Sequence, residues 1–239
     1  DTNGEEGQTF VWKKREIEKI LGDDSDIFCI YYDVTDGGNF EGKTIFANNV
    51  SASSLGFKFD KSESEILNII SKCSAKLLEV RDKREQPGKD DKIITSWNGL
   101  MISAFLAGYR ITDNTKYFDT AKKSIDFFEN NFEKNHILHR TFKNNEPKLN
   151  GYLDDYAYMA NASIDMFENT SESKYLLFAI NITNHLITHF WDDSSHGFFF
   201  TSDNHEKLII RPKNNYDLSM PSGNSVAAYV LLRLHYITQ

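Results

Sequence analysis

Two adjacent carboxylates, Asp154-Asp155, sit in the segment Gly151-Tyr152-Leu153-Asp154-Asp155-Tyr156, which leads into an apolar stretch. One carboxylate is enough to cap a helix N-terminus. The second is then free to serve as an acid, a base or a hydroxyl acceptor. Asp217 is a weaker acidic candidate in a comparable segment, Asp217-Leu218-Ser219-Met220-Pro221-Ser222-Gly223-Asn224-Ser225. A third such segment is Thr95-Ser96-Trp97-Asn98-Gly99. Together they offer Trp97, Asn98, Asp154, Asp155, Tyr156, Asp217, Ser222 and Asn224. Aromatic faces stack on the C–H faces of sugar rings, while amides and carboxylates give hydroxyls directed partners. Arg211 is a further candidate for anchoring a carboxylate or a sugar acid, and equally a residue of a structural ion pair. Each Asp, Ser and Asn also has a plain reading as a helix cap, and Pro221-Ser222-Gly223 as a turn.

Other chemistries find less support. His185 and His189 are spaced i,i+4, but without the Glu of an HExxH motif or an evident third ligand, so no metal is expected. His136 and His139 are proton-shuttle candidates beside a hairpin. No GxGxxG, P-loop or GxSxG motif occurs, so no cofactor is expected. The formal net charge of −8 carries no basic block and disfavours nucleic acid as a partner. No apolar run reaches the roughly 20 residues a membrane span needs. Cys29 and Cys73 are too far apart for a CxxC motif and read as buried thiols in a reduced, cytoplasmic setting.

The elements that must position these residues follow from an internal repeat with a 58-residue offset. Thr112 to Ala121 aligns with Thr170 to Ala179, and Met101 pairs with Met159, Tyr109 with Phe167, Phe132 with Phe190 and Phe142 with Phe200. Each copy holds a turn, two helices and an extended tail. The second helix carries an apolar stripe (Tyr117, Ala121, Ile125, Phe128, Phe132) opposite a charged face, which predicts an outer helix capped by Thr115 or Ser173. The first is apolar or small nearly all round, as in 100–108 and 226–232, which predicts an inner helix. Alternating inner and outer helices build a solenoid or a closed α/α toroid. Parallel inner helices would bring the three segments to one mouth. Ser64 to Arg81 predicts a preceding outer helix, and 137–142 and 197–201 predict short strands. The first 60 residues read as one helix, Lys13 to Leu21, and a strand at 27–32. They make an irregular segment that packs on a helical domain over 61–239.

At these motifs the chain resembles the thioredoxin-domain-containing proteins related to spermatogenesis-associated protein 20. The resemblance rests on Gly4-Glu5-Glu6-Gly7 with Val11-Trp12, Gly38-Asn39-Phe40-Glu41-Gly42, Asp91 to Met101, Leu153 to Ala157 and Pro221 to Ser225, and it spans nearly the whole chain. Such proteins are similar in their helical part to six-hairpin glycosidases and N-acylglucosamine 2-epimerases. The resemblance implies a mainly all-α fold, about half of an (α/α)6 toroid with short β-hairpins in its connections. It also implies a thioredoxin-like partner domain absent from this chain. The polar start and the uncapped apolar end, 226–237, agree with a fragment.

These readings predict a carbohydrate-active domain, a glycoside hydrolase or a sugar epimerase acting on a sugar or glycan. Hydrolysis asks for two carboxylates about 5 Å apart for retention or about 6.5–9.5 Å for inversion. Asp154 or Asp155 is the candidate for one and Asp217 for the other. Epimerisation asks for acid/base groups on both sugar faces, commonly His, and the lead-in segments hold none. The alternatives are a non-catalytic glycan- or protein-binding module serving the thioredoxin-like domain, and a plain α-solenoid.

Overall fold

The structure, a computed structural model, describes residues 2, 4–131, 137–144, 146–206 and 209–239. Phe132 and His136 lie outside the described residues. The chain forms two compact units, residues 1–90 and 91–239.

The first unit holds α1 (Lys14–Leu21), α2 (Ser25–Tyr31), α3 (Ala52–Phe59) and α4 (Glu63–Asp82). In α4, Ser62 accepts from the Glu65 amide and the Glu65 carboxylate accepts from the Ser62 amide, a complete capping box. The helix lays Ile66, Ile70, Cys73 and Leu77 onto a core with Ile17, Leu21, Phe28 and Leu55. The strand expected at 27–32 is instead α2. An apolar run this short satisfies either period, and here the consecutive Ile27, Phe28 and Cys29 are all buried in a helix of about two turns. The reading of one helix in this region also missed α3, whose start is fixed by Ser51 accepting from the Ser54 amide.

The second unit contains the repeat. β1 (Ile93–Ile94) runs into α5 (Thr95–Thr112), followed by α6 (Thr115–Asn130), β2 (His139–Lys143), β3 (Glu146–Asn150), α7 (Leu153–Thr170), α8 (Ser173–Phe190) and α9 (Gly223–Thr238). The strands form an antiparallel sheet in the order β1-β2-β3, with Ile93 opposite Phe142 and Thr141 opposite Lys148. The strand expected at 197–201 reduces to one bridge, Trp191 to Phe198. Asn114 caps α6 by accepting from the Lys116 amide, in place of Thr115, and no side chain caps α8.

α7 lies between α5 and α9, with α6 and α8 on the outer side. The inner helices are parallel and in register. Gly99 meets the Tyr158–Met159 backbone, Ser103 meets Asn161, and Gly223 meets Leu153 and Asp154. A Cβ at position 99 would lie 2.8 Å from the Tyr158 carbonyl carbon, so the close approach of α5 to α7 requires glycine there. α7 alone is buried nearly all round. α5 and α9 each keep an exposed apolar flank, with Met101 and Ile111 on one and Leu232 and Tyr236 on the other.

Candidate functional site

Three helix N-termini converge at one end of the second unit, and the adjacent aspartates tie them together in opposite directions. Asp155 is 0% exposed. Its Oδ1 accepts from the Ser96 amide at the start of α5 (2.8 Å) and from Arg140 Nη1 on β2 (2.9 Å). Its Oδ2 accepts from the Tyr152 amide (2.9 Å), closing the α7 capping box. One carboxylate thus knits α5, α7 and the sheet. Burial pushes this carboxyl up, to about 6, against the opposing pull of Arg140 and the donor amides.

Asp154 turns the other way, towards α9. The Gly223 amide is its hydrogen-bonding partner, and Arg140 acts on it through space. It is half-buried, and that burial raises its carboxyl above the ordinary value. A Cβ at position 223 would run into Asp154 Oδ1 and come within 2.7 Å of Leu153 Cγ, so this junction also needs glycine. Asp154 therefore keeps acceptor capacity that Asp155 has spent.

Asp217 lies on the loop before α9. Its Oδ1 accepts from the Ser222 amide (2.7 Å) and the Ser225 hydroxyl (3.2 Å). Tyr158 marks the point where the acids meet. Its hydroxyl donates to the Pro221 carbonyl, and burial together with Asp154, Asp217 and Asp155 pushes the phenol up to about 12.

The remaining expected residues divide. Trp97, in the first turn of α5, is 55% exposed and offers an open aromatic surface. Beside it, Asn98 Nδ2 donates to the Ile94 carbonyl. Ser222 caps α9 by accepting from the Ser225 amide. Asn224 faces away from the acids, holding Phe198 and Asn214 through its side-chain amide. Tyr156 is a core residue, 1% exposed, with its hydroxyl accepting from the Leu138 amide and its ring stacked on His185. Arg211 donates to the Thr201 and His189 carbonyls and lies over Phe199, which makes it a loop anchor. His189 bonds Asp203 at 2.8 Å, and among the described residues no three His, Cys, Asp or Glu side chains form a metal-type cluster.

Sequence reasoning did not single out Arg140 or Tyr158. Arg140 stands on a strand with no helical periodicity to give its direction. Tyr158 follows Asp154 by four residues, one helical turn, and that spacing was the available signal.

No family model matches the chain. It is homologous to spermatogenesis-associated protein 20 of Homo sapiens, at 23% identity over 98% of this chain and 34% of that protein. An uncharacterized protein of Caenorhabditis elegans is 26% identical over 100% of this chain and 36% of its own length. The chain thus spans about a third of the length of the curated relatives it matches. Among solved structures, a family 76 glycoside hydrolase from a bovine Bacteroides thetaiotaomicron strain superposes with a TM-score of 0.54. The identity is 16%, over 95% of this chain and 54% of that one. A family 76 α-mannanase of Bacteroides thetaiotaomicron gives a TM-score of 0.50 at 15% identity, over 99% of this chain and 66% of that one. The fold is mostly helical and of the six-hairpin glycosidase-like α/α toroid type. No helix among the described residues is long and apolar enough to cross a membrane.

Proposed function

We propose that this chain supplies a carbohydrate-active domain whose glycan site is the mouth formed by the N-termini of α5, α7 and α9. The observation that carries the reading is the unequal fate of the paired carboxylates. Asp155 is consumed by three donors, while Asp154 has one donor, the Gly223 amide, among the described residues, a raised pKa and the convergence of helix N-termini behind it. A half-buried carboxyl whose pKa is raised by burial is better suited to proton transfer to or from a sugar oxygen than a fully solvated one. Asp154 is the reactive group, Asp155 and Arg140 hold it, and Trp97 is the stacking platform. Mannose-containing glycans are the first substrates to try, given the activity named for the α-mannanase of like fold.

A second reading is a glycan-binding module without turnover. It is favoured by the hydrogen bonds that tie Asp155 to three donors and Asp217 Oδ1 to the Ser222 amide and the Ser225 hydroxyl, giving both acids a structural task where glycoside hydrolysis needs two reactive ones. Either role would serve a thioredoxin-like partner domain in a cytoplasmic protein.

Calorimetric titration with a panel of mono- and oligosaccharides tests the site. The expected result is saturable binding of at least one glycan, weakened tenfold or more by Trp97→Ala. Binding that is indifferent to Trp97, or absent across the panel, overturns the assignment of this mouth.

A further inference from the structure

The first unit contains a cleft of about 260 Å³ between Trp12, α2, Phe46 and α4. Four rings form its walls. Phe28 meets Phe46 edge-on at 5.2 Å, Tyr32 tilts against Phe46 at 5.3 Å, and Phe28 tilts against Tyr32 at 4.7 Å. Trp12 is 3% exposed, stacked under the Arg84 guanidinium at 3.7 Å, so it serves as a fixed wall. At the rim stand Leu78 and Arg81. The Arg81 guanidinium reaches a ring, Phe10, at 5.8 Å, and no carboxylate pairs with it among the described residues.

We propose that this cleft is a binding site for a small aromatic carboxylate, its ring among the four aromatic walls and its anionic group on Arg81. A planar ring extends the edge-to-face cluster and buries its own apolar surface. The guanidinium fork matches a carboxylate in plane and charge, and among the described residues no carboxylate occupies it. Ligand pockets of this kind are mostly apolar with few directing polar groups. The volume limits the occupant to one ring system, and the lining is aromatic and aliphatic apart from Ser74, Arg81 and the polar atoms of Tyr32 and Trp12. This site is separate from the mouth of the second unit and does not depend on the reading given to it.

Isothermal titration of the full chain with indole-3-acetate and, as its uncharged counterpart, indole-3-acetamide tests the proposal. Saturable binding of the acid is expected, with the amide at least tenfold weaker. In Arg81→Gln the acid should fall to the level of the amide. Leu78→Trp, which fills the rim from an exposed position, should abolish binding of both. Equal affinity for acid and amide, an unchanged affinity in Leu78→Trp, or no saturable heat from the acid would overturn the proposal.

Discussion

Asp154 and Asp155 are neighbours with opposite tasks, and the difference is measurable as stability. Replacing Asp155 with Ala strands a part-buried guanidinium and two backbone amides, so the loss should be about 3–5 kcal/mol in chemical denaturation. Asp154→Asn keeps its shape and an oxygen to accept from the Gly223 amide, gives up only its charge near Arg140, and should cost less than about 1 kcal/mol. A pH series adds a second check. The folded Asp155 carboxyl lies at about 6, above the ~3.9 of an unfolded Asp. Between those values the folded chain holds a proton that the unfolded chain has released. The stability from this group is therefore fully present below about pH 4 and lost as pH rises through 6, by roughly 2–3 kcal/mol. The stability of wild type relative to Asp155→Asn should fall across that window; a flat or rising difference would contradict the burial argument. The paired acids were legible in the sequence, as was the idea that one would cap. Which one capped was not, because the capping-box position depends on where α7 begins, and that start is set by Gly151 and the sheet packed behind it.

At the scale of elements, α9 is the inner helix with the fewest neighbours, and one side chain fastens its far half. Arg233 donates to Asn161 (2.6 Å) and pairs with Asp165 (2.8 Å) and Glu168 (2.9 Å), all on α7. Arg233→Ala removes the counterion of the part-buried Asp165. Hydrogen exchange should then accelerate in α9 by tenfold or more while α5 remains protected; equal acceleration in all three inner helices would contradict a local clasp. The helices of the repeat were readable because their apolar stripes run for several turns at a 3.6-residue period. The pieces that were misread are short. The 27–32 run is about one helical turn and a half, and 197–201 spreads its backbone bonds over 190–192, Leu153 and Pro212, with Asn224 on Phe198, instead of pairing along one strand. The inner-helix assignment held most fully for α7. Apolar composition all round predicted burial for α5 and α9 as well, yet their outer flanks remain exposed, because composition records what a helix is able to bury and not which neighbour is present.

For the whole molecule, the repeat pointed to alternating inner and outer helices, the inner ones are parallel, and parallel helices bring their N-termini to one end. That geometry concentrates three positive dipole ends behind a group of acids, an arrangement that keeps carboxylates together without mutual expulsion. The sequence also pointed to sugar chemistry through residue types, but Asp155, Asn98, Tyr156, Arg211, Ser222 and Asn224 are committed to caps, loops or core. The most direct test of Asp154 as the reactive group is release of reducing sugar from α-mannooligosaccharides and related glycans by wild type and Asp154→Asn, with binding of each followed in parallel. The account predicts turnover by wild type and its loss, by a factor of about a thousand or more, in a variant that still binds the glycan. Equal turnover by both proteins, or glycan binding by wild type with no turnover at all, would contradict it.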